Sequence, residues 1–149
     1  MTLKQQIHGY YLQLVNTKVQ HLQQVLADLK ESGATETKST AGDKHETALA
    51  MLQIEQANTR AQLKEVLDQK STLEKINAGL TTVQIVNGSL VKTNRGWLYV
   101  STALGKASVA NITVTALSPQ SPLGTKLMGL KVSGVAEINN NRYVVESIE

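Results

Sequence analysis

The 149-residue sequence predicts an α+β protein, with an amino-terminal antiparallel helical hairpin followed by a small antiparallel β domain that carries one short helix. Three observations predict it. Apolar residues of the first half recur every three or four positions, the period of one helix face. Those of the second half alternate, the period of a half-buried strand. Asn- and Gly-based turn signals punctuate the second half, and Asn77-Ala78-Gly79 falls where one period gives way to the other. These place a coiled-coil segment at 1–77 and an α+β domain at 78–149.

The first helix follows from Leu3, Ile7, Tyr10, Leu14, Lys18, Leu22, Val25 and Leu29. The second follows from Leu49, Leu52, Gln56, Thr59, Leu63, Val66, Lys70 and Leu73, a stripe interrupted by polar residues. Between them, residues 32–42 are rich in Gly, Ser and Thr and read as a tip loop. Helices joined by a short loop fold back as a hairpin, and about 28 residues per arm gives roughly 40 Å. In the second half, Asn87-Gly88 between Val83–Val86 and Ser89–Thr93 predicts a hairpin. Asn94-Arg95-Gly96 predicts a turn into Trp97–Ser101, and Val109–Leu117 alternates as one strand. Pro122–Met128 reads as a short helix entered at Pro. Val135–Ile138 and Tyr143–Ile148, flanking Asn139-Asn140-Asn141, read as a last hairpin.

Composition narrows the chemistry. With no Cys, disulfides, thiolate metal sites and cysteine nucleophiles are excluded. His8, His21 and His45 are too scattered for a His-rich zinc site. Met1–Ile7 lacks the apolar run of a signal peptide, and no stretch approaches the roughly 18 apolar residues of a membrane span. The expectation is a soluble, cytoplasmic protein with no membrane partner. The net charge of +3 lies wholly in residues 78–149, which suits an acidic partner surface but is too small to indicate nucleic-acid binding. There is no phosphate-binding Gly-rich loop, no His-x-x-x-His spacing and no supported Ser/His/Asp order.

The one compact acidic element is Gly42-Asp43-Lys44-His45-Glu46, where the second helix begins. As a capping box, Asp43 accepts from backbone N–H groups of the first turn and both charges sit at the positive helix end. As a chemical site, two carboxylates one turn apart share a divalent cation, for which Mg²⁺ fits because it needs only one or two protein ligands and keeps waters. The two readings are compatible, since capping fixes acids whose other oxygens face outward. His45 reads as a solvent-facing tip residue. Arg60 and Lys64, one turn apart, read as a solvated face or as phosphate contacts. Trp97, Tyr99 and Tyr143 read as core, and Tyr10 and Tyr11 as packing at the base of the hairpin.

Ser121-Pro-Leu-Gly-Thr-Lys-Leu-Met-Gly-Leu-Lys-Val-Ser-Gly134 resembles a carboxyl-terminal motif of the bacterial Gre-type (GreA/GreB) transcript cleavage factors, with its Ser-Pro, Leu-Met-Gly and later Gly. Gly88-Ser-Leu-Val91 resembles the Gly-Ser-x-Val that opens that family's carboxyl-terminal domain, and Gly42, Asp43 and Glu46 keep the Gly-Asp-x-x-Glu spacing of its coiled-coil tip. The resemblance implies an antiparallel coiled coil and an FKBP-like domain. It also implies RNA polymerase as partner: the globular domain docks on the polymerase, and the coiled coil enters the secondary channel. There Asp43 and Glu46 would help hold the polymerase's Mg²⁺ and a water beside the backtracked RNA 3′ end. The chain would then be no enzyme alone and would hold no cofactor tightly. Ser121, Pro122, Leu123 and Gly124 would shape the docking domain, and Arg60 and Lys64 are candidate RNA contacts.

The chain departs from the family after the tip acid, with Thr47-Ala48-Leu49-Ala50 in place of Asn-Ala-Glu-Tyr, and has Lys44-His45 between the acids. A channel-binding regulator without cleavage activity is therefore a second expectation. A third is a coiled-coil scaffold that self-associates into a homo-oligomer. Prolyl isomerase activity, the remaining implication of an FKBP-like fold, lacks its aromatic-walled pocket in a chain with no Phe.

Overall fold

A computed structural model describes the backbone of residues 1–36 and 43–149, and the side chains of 1–34 and 46–149. Helices α1 (Leu3–Glu36) and α2 (Asp43–Glu74) come first. Strands β1 (Leu90–Thr93), β2 (Gly96–Val100), β3 (Gly105–Val109) and β4 (Ile112–Leu117) follow, then helix α3 (Pro122–Leu127) and strands β5 (Val135–Ile138) and β6 (Asn141–Ile148). The class is α+β, with a long helical hairpin ahead of a six-stranded sheet. Among the described residues, no helix is long and apolar enough to cross a membrane.

The helices run longer than the stripe suggests. α1 continues through Ser32–Glu36, which the Ser/Gly/Thr content assigns to the loop, so α1 and α2 have 34 and 32 residues and extend about 50 Å each. A single Gly33 costs a helix only about 1 kcal/mol, little against the register of the turns before it. α1 starts with a reciprocal capping box. The Thr2 Oγ1 accepts from the Gln5 N–H at 3.1 Å, and the Thr2 N–H donates to Gln5 Oε1 at 2.9 Å.

The chain divides into two compact units, Met1–Gln13 with Ser71–Glu149, and Leu14–Lys70. In the hairpin unit, Val15, Val19 and Thr59 are buried, and the Thr59 hydroxyl donates to the Glu55 carbonyl one turn earlier.

In the other unit the sheet order is β3-β4-β2-β1-β6-β5. It is mixed: β2 and β4 pair in parallel, Trp97 opposite Val114 and Tyr99 opposite Ala116, and every other pairing is antiparallel. The parallel pair arises because the run read as a single strand over 109–117 is broken by a turn. Ala110 and Asn111 take φ of 50° and 65°, the primed hairpin conformation, and β3 folds onto β4 as an edge. The Asn139-Asn140 turn between β5 and β6 has the same pair of angles.

The hairpin expected at Asn87-Gly88 does not form. Gly88 has φ +95°, Asn87 has no positive φ, and the Ser89 N–H donates to the Val86 carbonyl, the pattern of a type II turn. That turn does not match the twist of paired strands, so the segment before it stays outside the sheet, with only Gln84 bridged to Lys131. A Cβ on Gly88 would lie 2.8 Å from the Ile76 Cγ2.

Both faces of the central strands are covered, which is why Leu90-Val91 and Leu98-Tyr99-Val100 are continuous apolar runs. One face packs Val91, Leu98, Val100 and Val145 against Leu127 of α3, together with Ile85, Leu117 and Ala136. On the other, Tyr99 meets His8 and Tyr11 from the start of α1.

Candidate functional site

The two candidate sites lie in different units. α2 begins at Asp43, the position the tip motif requires, and Glu46 follows one turn later as an exposed side chain. Gly42, the Asp43 carboxylate, and the side chains of Lys44 and His45 lie outside the described residues. Arg60 and Lys64 are exposed. They lie about 25 and 30 Å along α2 from Asp43, too far for a lysine or arginine side chain to share a ligand with the tip acids.

The Ser121–Gly124 segment is built into its domain. Ser121 is the N-cap of α3: its Oγ accepts from the Gly124 N–H at 3.0 Å and donates to the Ser118 carbonyl at 2.6 Å. Pro122 takes the first helical position, where its missing N–H costs nothing, and is exposed. Leu123 packs on the apolar cluster. Gly124 is buried, and a Cβ there would collide with the Ser118 carbonyl oxygen and approach the Pro119 Cα to 2.9 Å. Three of the four residues thus serve the sheet-bearing unit from inside, by fixing α3. Around α3 the exposed residues include the apolar Met128 at 37%, Val132 at 54% and Val83 at 80%, the last two flanking the Gln84–Lys131 bridge, alongside the polar Thr125, Lys126 and Lys131.

A cluster of titratable groups escaped the sequence reading. His8 Nδ1 lies 2.7 Å from the Tyr99 hydroxyl. The Tyr11 hydroxyl donates to the Gly105 carbonyl at 2.7 Å. Lys4 is buried, with its Nζ donating to the Leu80 carbonyl at 2.6 Å. Burial lowers the pKa of Lys4, opposed by attraction from Glu149. Burial, and then the charge of Lys4, lowers that of His8. Burial pushes the Tyr11 phenol up to about 12 and raises Tyr99 as well. These groups hold the start of α1 against the sheet. The helical stripe marked Ile7 and Leu3 but gave no sign of His8, whose partner is 91 residues away. Tyr99 is core as expected, and of the pair expected to pack at the base of the hairpin Tyr11 is buried, whereas Tyr10 is 40% exposed and only edges Tyr11. Trp97 and Tyr143 are half-buried, beneath Lys92 and Arg95 respectively.

No protein-family model and no curated protein matches this chain. Among solved structures it is similar to GreA factor homolog 1 of Thermus thermophilus, at 18% identity over 88% of this chain and 94% of that one, with a TM-score of 0.34.

Proposed function

We propose that this protein is a Gre-like factor that binds bacterial RNA polymerase, places its helical hairpin in the secondary channel and stimulates hydrolysis of backtracked RNA by the polymerase. The observation that carries the reading is the start of α2 at Asp43, so that Asp43 and Glu46 open the second of two helices of 34 and 32 residues. In this reading the domain around α3 docks on the polymerase through the exposed apolar residues Met128, Val132 and Val83.

Two carboxylates supply a minority of the six oxygens that Mg²⁺ requires, so the pair acts only where a second protein and water complete the shell. The chain then adds ligands to an existing centre and is no hydrolase by itself. Mg²⁺, when held there, supplies the acidified water and stabilises the leaving oxygen. Asp43 and Glu46 contribute position and negative charge. Arg60 and Lys64, well back along α2, serve contacts with the channel wall in preference to the RNA 3′ end.

A regulator that occupies the channel without cleavage is favoured by one observation: Thr47-Ala48-Leu49-Ala50 stands where the family carries Asn-Ala-Glu-Tyr. One assay separates the readings. Backtracked elongation complexes are treated with wild type, Asp43→Asn and Glu46→Gln, while polymerase binding is measured in parallel. Transcript shortening by wild type, lost in both variants that still bind, supports cleavage. Binding without shortening by any form assigns the regulator role, and absence of binding sinks both.

A further inference from the structure

A cleft of about 300 Å³ lies within the sheet-bearing unit, away from α3's exposed apolar residues in composition as well as in lining. Four chain segments meet there: the end of α2, the Asn87 turn, the residues after β2, and the connection from β4 to α3. Its volume equals the liquid share of about ten waters and matches the lower end of small-molecule sites.

The lining chemistry is one-sided. Lys75 supplies a single ammonium, and no carboxylate and no aromatic ring lines the cleft. Ser101, Thr102 and Ser118 supply hydroxyls, and Asn87 and Gln120 supply amides. The Ser118 Oγ donates to the Gln120 Oε1 at 2.7 Å and accepts from the Gln120 N–H at 3.1 Å, which leaves the amino end of that side chain as its donor. Ser101 is 2% exposed, and its Oγ is buried with no hydrogen-bond partner. A buried hydroxyl without a partner is costly. Ser101 also belongs to the lining of this polar cleft, so a turn of its side chain is what brings the hydroxyl to a ligand there.

We propose that this cleft binds a small phosphorylated polyol, with the phosphate at Lys75 and the hydroxyl-bearing body among Ser101, Thr102, Asn87 and Gln120. One cation with several neutral donors and no carboxylate suits the oxygens of a phosphate monoester. The absence of an aromatic platform in the lining disfavours a nucleobase, which binds by stacking. The proposal is independent of polymerase binding, since no residue of the cleft belongs to the tip or to the Ser121–Gly124 segment.

The test is a titration of the ¹⁵N-labelled full chain, followed by amide shifts, with glucose 6-phosphate, inorganic phosphate, glucose and glucuronate. Glucose 6-phosphate is expected to saturate shifts at Ser101, Thr102, Ser118 and Gln120, and inorganic phosphate to shift the Lys75 end more weakly. Lys75→Gln, an exposed change, weakens the sugar phosphate by roughly tenfold or more and leaves the fold intact. Ser101→Ala raises the melting temperature of the unliganded protein, because it removes an unpaired hydroxyl, yet shrinks the rise caused by ligand. No saturable shift, equal affinity in Lys75→Gln, or equal binding of glucose or glucuronate overturns the assignment. Shifts produced only by an RNA oligonucleotide do so as well.

Discussion

His8, Tyr11 and Tyr99 show how single residues set the pH range of this fold. Burial lowers the pKa of His8 below its ordinary 6.5. Above that pH both folded and unfolded chains hold it neutral. As pH falls below 6.5 the unfolded chain takes up its proton first, so stability declines on acidification. Denaturant melts of wild type and His8→Gln from neutral pH down to 5 are expected to show a steeper loss for wild type. Tyr11, pushed up to about 12 from 10, acts at the other end. Between those values the unfolded phenol ionises first, so stability falls as pH rises, and Tyr11→Phe flattens that limb. At neutral pH the same variant costs about 1 kcal/mol, since it removes the donor to the Gly105 carbonyl. Among the glycines, Gly124→Ala makes the closest contact, to the Ser118 carbonyl oxygen. Its Cβ meets backbone, which cannot swing aside, so α3 must shift; thermal melts should report a loss of about 3 kcal/mol.

Among the elements, the turns decide the sheet. Asn139-Asn140 and Ala110-Asn111 adopt the same left-handed angles, but alanine has no side-chain oxygen to offset that conformation. Ala110→Asn gives the β3–β4 turn the chemistry of the β5–β6 turn, and chemical denaturation is expected to show a gain of about 0.5–1 kcal/mol. The β1–β2 turn is anchored differently. Asn94 reaches β6, where its Oδ1 accepts from the Val144 N–H at 2.7 Å and its Nδ2 donates to the Arg142 carbonyl. The β1–β6 register shifts between Lys92 and Thr93, next to this side chain, which replaces ladder bonds lost at the bulge. The short α3 shows how much of its family-like motif is local structural chemistry. Cap, first-turn proline and close-packed glycine account for Ser121, Pro122 and Gly124 without any partner.

For the whole molecule, the two units differ in how they are held. The sheet-bearing unit buries apolar side chains on both sheet faces. In the hairpin unit, the described buried residues are Val15, Val19 and Thr59. Local opening follows buried apolar contact, so hydrogen exchange should be slowest in β1, β2 and β4 and faster across 46–66. A helix pair with such a narrow seam suits insertion into a partner that covers it, as the proposed channel does. Added polymerase is then expected to slow exchange across 46–66, and unchanged exchange there in a bound complex would count against channel entry.

The amino-acid sequence by itself determined whatever is local. The 3.6-residue stripe gave α1 and α2, Pro122 after a Ser cap gave α3, and the Asn-rich turn gave the β5–β6 hairpin, because each signal lies within one turn or one pair of strands. It also placed Asp43 and Glu46 at the start of a helix, one turn apart. Only the tertiary structure decided what depends on distant partners. Ala110-Asn111 lacks the glycine that announces a primed turn, so the alternation of 109–117 hid the break between β3 and β4. Gly88, read as a hairpin signal, was claimed by a type II turn against Ile76. The parallel β2–β4 pair, the His8–Tyr99 contact and the four-segment cleft around Ser101 join residues far apart in the chain. Side-chain periodicity records which face a residue turns inward, and it does not record what waits on the other side.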